Sequence, residues 1–182
     1  MKKLFFTFAL ILATITASAI NLNTAGEYEV KQVVEVTGAT ATALYDRAIY
    51  TLSTITNGDM KRHIDYQDRN AATVIYKGIF DLGYHNMIIG RIDRTGGFTI
   101  KVRCKDGRAQ VTVTATDYTT RYNRDGSTTT YTLPELLEAV ITSSGKKRER
   151  GEAVIQYIEQ QTNQVLQLMC ESLKHTTIDD EF

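Results

Sequence analysis

Phe98 to Thr116 reads FTIKVRCKDGRAQVTVTAT, two alternating arms about a single Asp-Gly. In the first arm Phe98, Ile100, Val102 and Cys104 alternate with Thr99, Lys101, Arg103 and Lys105. In the second, Ala109, Val111, Val113 and Ala115 alternate with Gln110, Thr112, Thr114 and Thr116. A period of two sends successive side chains to opposite faces of a strand. Asp106-Gly107 suits a two-residue hairpin turn, whose backbone needs positive φ. The stretch therefore predicts an antiparallel hairpin with one apolar face and one face of Thr, Lys and Arg. Sheets of that kind bury one side and leave the other to water.

Working outward, Glu27–Val36 alternates in the same way, with Tyr28, Val30, Val34 and Val36 on one side. Gly38 ends that strand, and Thr40 or Thr42 can cap a helix carrying Ala43, Leu44, Ala48, Leu52 and Ile55, closed by Asn57-Gly58. Met60–Gln67 reads as a strand, and so does Ala72–Phe80, whose interleaved Val74, Tyr76, Phe80, Ile75 and Ile79 predict cover on both faces. Met87–Ile92 is a further short apolar run, read as another strand. Asp125-Gly126 marks a second hairpin between Tyr118–Tyr122 and Thr128–Tyr131. Thr132-Leu133-Pro134-Glu135 is a capping box with proline in the first turn, opening a short helix to Ile141. Lys146–Arg150 reads as a solvated loop. It leads into a long helix over 151–174 with Val154, Ile158, Val165, Met169 and Leu173 in a stripe. Strand, helix, a run of antiparallel strands and then helices is an α+β order, with the helices gathered on one face of the sheet.

The ends and the composition set the setting. Met1-Lys2-Lys3, an apolar Leu4–Thr16 and Ala17-Ser18-Ala19 form the three regions of a secretory signal peptide. The apolar run is too short for a membrane span. Cleavage after Ala19 would leave residues 20–182 as a single domain, periplasmic or extracellular and soluble, with no transmembrane segment. The chain balances 21 Lys and Arg against 21 Asp and Glu, and loss of Lys2 and Lys3 leaves 19 against 21. A slightly acidic chain has no general attraction for nucleic acid, so a nucleic-acid partner is not expected. The two cysteines, Cys104 and Cys170, allow either a disulfide or two buried thiols.

Val33-Val34-Glu35-Val36-Thr37-Gly38, followed by Ala43-Leu44-Tyr45-Asp46-Arg47-Ala48, resembles the opening of an exported domain-of-unknown-function family of Bacteroidetes-type bacteria. Lys77-Gly78 and the Ile100–Arg108 hairpin fit that family as well, so the likeness covers about residues 27–140. The first helix departs from the pattern, with Tyr50-Thr51-Leu52 where a Trp-containing stretch is expected. The resemblance implies a TATA-binding-protein-like fold and a cell-envelope address. It implies no activity, carries over no functional residue, and gives no ground for DNA binding.

No catalytic or metal motif stands out. His63, His85 and His175 lack any close ligand spacing, and no nucleophile elbow or phosphate loop occurs. Neither a catalytic residue, a metal ligand nor a cofactor is expected. The sharpest feature is the basic set Lys101, Arg103, Lys105 and Arg108, the first three about 7 Å apart along one strand face. Tyr118, Tyr122 and Tyr131 around the Thr-rich hairpin are candidate contact residues, with polar tips on apolar rings. These residues predict a non-enzymatic envelope protein that binds a protein or glycan partner through its exposed sheet face. The alternatives are a carrier of a small apolar ligand between sheet and helix, and an enzyme of unrecognised class.

Overall fold

The computed structural model describes residues 20–55 and 63–175. The signal-peptide residues, the Asn57-Gly58 stop and Met60–Arg62 lie outside the described residues. Seven strands and three helices follow in the order β1 (Tyr28–Glu35), α1 (Ala41–Ile55), β2 (Ile64–Asp68), β3 (Thr73–Met87), β4 (Gly90–Lys105), β5 (Arg108–Ala115), β6 (Asp117–Tyr122), β7 (Thr128–Thr132), α2 (Leu133–Ile141) and α3 (Gly145–Lys174). The sheet runs β1-β5-β4-β3-β2, and β6 joins the far half of β4 with β7 outside it. Every pairing is antiparallel.

The 98–116 hairpin has the expected register, with Phe98 opposite Ala115 and Cys104 opposite Ala109. Ile100, Val102, Val111 and Val113 are fully buried, under α1 and α3. The turn also anchors the first helix. Asp106 Oδ1 accepts the Ala41 N–H at 2.8 Å, and Thr40 Oγ1 accepts the Ala43 N–H at 3.2 Å. Gly107 N–H donates to Ala39 and Val36 N–H donates to Gly107. The capping side chains satisfy helix donors that otherwise have no partner.

Where β4 changes partner from β5 to β6, Gly97 faces the Asp117 carboxylate and has no space for a Cβ. The Gly97 N–H donates to Asp117 Oδ1 at 3.2 Å, and Thr116 Oγ1 donates to Oδ2 at 2.8 Å. A side chain at Gly97 would displace the carboxylate that holds this corner.

Three expectations need correction. Helices cover one face of β3 only: Val74, Tyr76 and Phe80 are buried, while Ile79 on the other face is 69 % exposed. Met87–Ile92 is no strand of its own. It spans the end of β3, the Ile88-Ile89 turn and the start of β4, with Gly90 at φ +111°, a left-handed conformation that glycine takes without strain. Lys146–Arg150 is no loop either, because α3 begins at Gly145 and includes it. Lys, Arg and Glu are good helix formers, so charge did not mark a break.

The α3 stripe docks on β1 and β5. Val154, Ile158, Met169 and Leu173 are buried as expected, but Val165 is half-buried and Leu166 takes the inner position. Over a helix this long a 3.6-residue period drifts away from a strict heptad.

Arg47 of α1 lies against the end of α3. It is buried, and its Nη1 donates to the Leu173 carbonyl at 3.0 Å. A cation at a helix C-terminus satisfies a free carbonyl and opposes the negative end of the helix dipole. Losing a hydrogen bond to a charged group costs about 1.5–3 kcal/mol. Arg47→Ala is therefore expected to lower stability by that amount in urea unfolding, and an unchanged midpoint would remove Arg47 as a strut.

Candidate functional site

The helix-free face of the sheet follows from the hairpin arithmetic. Odd-numbered residues of β4 point away from the helices, so Lys101, Arg103 and Lys105 share the open face with Thr99. The register carries this face across neighbouring strands. Lys105 pairs with Arg108, Arg103 sits between Gln110 and Thr73, and Lys101 sits between Thr112 and Ile75. Beyond Thr112 lies Lys31 of β1, about 10 Å from Lys101 at ordinary strand spacing. The four predicted basic residues thus share one surface, and Lys31 joins them. Only the strand order shows that Lys31 belongs there.

Arg103, Lys105 and Arg108 line a shallow cleft of about 400 Å³ together with Val33, Thr73 and Gln110. Arg103 Nη2 donates to Gln110 Oε1 at 2.7 Å, which fixes its guanidinium over the cleft. Among the described residues, no carboxylate forms an ion pair with Lys31, Lys101, Arg103, Lys105 or Arg108. Glu35 is opposite Arg108 in register, yet the two make no salt bridge. Elsewhere on this face Lys77 is neutralised by Asp65 at 3.1 Å. Lys105 directly opposite Arg108 is a like-charge pair, which destabilises a sheet by a few tenths of a kcal/mol or more. Glu35 opposite Arg108 and Glu29 two residues from Lys31 soften that cost from the β1 edge, while among the described residues none of the five cations is held in a salt bridge.

The tyrosines stand apart from this cluster. Tyr118 is buried on the helix side and stacks on Tyr131 at 6.1 Å. Burial raises the Tyr118 hydroxyl pKa, and nearby Arg94 lowers it in part. Tyr122 is half-buried, its hydroxyl bound to the Ile89 carbonyl. Tyr131 is 37 % exposed. Tyr118 and Tyr131 pack across the β6–β7 pair, and Tyr122 ties β6 to the β3–β4 turn.

Groups with possible reactivity are separated or quenched. Cys104 and Cys170 are free and buried, and burial pushes the Cys104 thiol up to about 11. A thiol held that high is no nucleophile at neutral pH. His63 packs beside Tyr76, His85 lies near Arg150, and His175 follows the end of α3. Arg91 and Asp93 form a local pair at 2.7 Å.

A second cleft, of about 320 Å³, lies between α1 and α3 beside Arg47, Thr51, Leu168 and His175. Against the sheet, Leu44 and Leu52 of α1 and Ile158, Met169 and Leu173 of α3 are almost completely buried.

An antiparallel sheet covered by helices on one face and open on the other is the α+β architecture of TATA-binding-protein-like domains. Residues 31–119 match the family described as "Domain of unknown function (DUF4468) with TBP-like fold". The fold resembles that of a DUF4468 family protein from Bacteroides ovatus ATCC 8483, at 13% identity and a TM-score of 0.58, covering 88% of this chain and 94% of that one. A TBP-like protein from Parabacteroides distasonis ATCC 8503 is also similar, at 13% identity and a TM-score of 0.50, covering 82% of this chain and 96% of that one. No curated protein matches the chain. No helix among the described residues is long and apolar enough to cross a membrane.

Proposed function

We propose that this is an exported, non-enzymatic cell-envelope protein whose open sheet face binds the acidic groups of a glycan or protein partner. The observation that carries this reading is a set of cations, Lys31, Lys101, Arg103, Lys105 and Arg108, that form no salt bridge among the described residues and gather on and around one shallow cleft. Arginine offers a planar fork that fits a carboxylate, and lysine adds a mobile point charge. Threonines and Gln110 beside them supply neutral hydrogen-bonding groups. The almost complete burial of Ile158, Met169 and Leu173 on α3 supports this reading over that of an apolar-ligand carrier. The signal-peptide pattern supports export.

The test has two parts. Protein recovered from the envelope of its host is expected to begin at or near Ile20, and intact Met1 there contradicts export. The chain starting at Ile20 holds every described element. On columns bearing polygalacturonate or polyglutamate it is expected to be retained at low salt and released as salt screens the charges. Passage through both columns at low salt contradicts the binding reading. The column that retains it more strongly distinguishes a glycan from an acidic protein.

A further inference from the structure

The β3–β4 hairpin ends in a turn that is apolar throughout. Met87 pairs with Gly90, leaving Ile88 and Ile89 as the turn itself. Ile88 is fully exposed, and Ile89 and Met87 are 59 % and 51 % exposed. Such turns ordinarily carry Asn, Asp, Gly or Ser, and contiguous exposed apolar side chains mark contact sites.

The tip is also braced. The Tyr122 hydroxyl donates to the Ile89 carbonyl. The Arg91 N–H donates to Asn123 Oδ1 at 2.7 Å, and the Asn123 N–H returns to the Arg91 carbonyl at 2.9 Å. A Cβ on Gly90 would come within 2.9 Å of the Tyr122 ring. The isoleucines are therefore presented on a supported turn.

Cations lie around this tip, of which Arg91 is paired with Asp93 at 2.7 Å. Arg91 lies over the exposed Tyr84 ring, 5.0 Å from its centre. Arg121 and Arg124 are exposed on the adjoining hairpin. Arg150 Nη1 is 3.4 Å from His85 Nε2, two residues before Met87, so the first turns of α3 lie beside the same arm. The first turn carries exposed Lys146 and Lys147 and no acidic residue, and the next carries Glu149 and the Arg148–Glu152 pair. Cations at a helix N-terminus oppose the helix dipole, a second local cost gathered at this end of the molecule.

We infer that this end of the protein docks on an anionic lipid surface, with Ile88 and Ile89 entering the headgroup–acyl boundary and the surrounding Lys and Arg meeting lipid phosphates. A narrow apolar projection with a basic collar suits a bilayer. A stable protein contact needs about 800 Å² from each side, more than a two-residue turn presents. This inference is independent of the sheet-face reading, because it uses none of the same cations.

The test is co-sedimentation of the chain starting at Ile20 with vesicles of phosphatidylcholine alone, or with phosphatidylglycerol added. The chain is expected to pellet with the anionic vesicles and to stay in solution with the neutral ones. The pair Ile88→Ser with Ile89→Ser, and separately Lys146→Glu with Lys147→Glu, are expected to weaken binding about tenfold or more, since insertion and charge act together. Both pairs lie on exposed positions, so each variant's thermal unfolding midpoint is expected to match the parent. Lys101→Glu with Arg103→Glu is expected to leave vesicle binding intact. Failure of the parent chain to pellet with anionic vesicles overturns the inference. Undiminished binding by the isoleucine variant does so too. Loss of a co-purifying protein on serine substitution, without any vesicle binding, assigns the tip to a protein contact instead.

Discussion

Ile158→Ala is expected to lower the unfolding free energy by about 2–5 kcal/mol, the range for a large aliphatic side chain removed from a packed core. Ile158 is 1 % exposed and sits midway along the face that α3 lays on β1 and β5. The sheet side of this interface cannot collapse freely into the gap, because β5 is held by ladders to β1 and β4 on both sides. Met169→Ala should fall at the lower end of the range, because an unbranched thioether chain surrounds itself less rigidly. Val165→Ala should cost less than either, since Val165 is only half-buried. Urea unfolding of the three variants checks the order. A silent Ile158 variant beside a costly Val165 variant would mean that α3 is rotated from the orientation described.

Reversing Lys101 and Arg103 to Glu is expected to do the opposite. Both side chains stand on the open face, and surface changes of this kind usually alter stability by no more than about 0.5 kcal/mol. Binding to an acidic polymer should fall about 100-fold, roughly 3 kcal/mol, since two charge-assisted contacts become two repulsions. Lys77→Glu is the control on the same face, because Asp65 already neutralises Lys77. It should weaken binding far less. Equal losses from both changes would reduce the cluster to a general charge effect.

Local pattern made the fold legible wherever burial is one-sided. The 98–116 hairpin, β1 and the Thr132–Glu135 capping box each carry their geometry within a few residues, and each forms as read. Reading went astray where an apolar residue is exposed or a charged one is helical. Met87–Ile92 looks like a buried strand because apolar runs ordinarily seek the core, whereas here they form a projecting turn. Lys146–Arg150 looks like a loop because charge says nothing of backbone conformation. The candidate site was half legible. Three of its cations follow from a single strand period, but Lys31 joins them only through the β1–β5 pairing, which no local signal specifies. Tyr118 is the converse case. A polar tip on an apolar ring suits a contact surface, yet Tyr118 is 8 % exposed and lies in the core.

The most direct measurement of the central claim is a backbone amide titration by NMR of the chain starting at Ile20 with an oligogalacturonate, and in parallel with an oligoglutamate peptide. If the open face binds acidic groups, the shifts gather at Lys31, Thr73, Lys101, Arg103, Lys105, Arg108 and Gln110 and leave Ile155–Leu173 of α3 unmoved. Shifts centred on the α1–α3 cleft around Arg47, Leu168 and His175, or no shifts with either ligand, would contradict it.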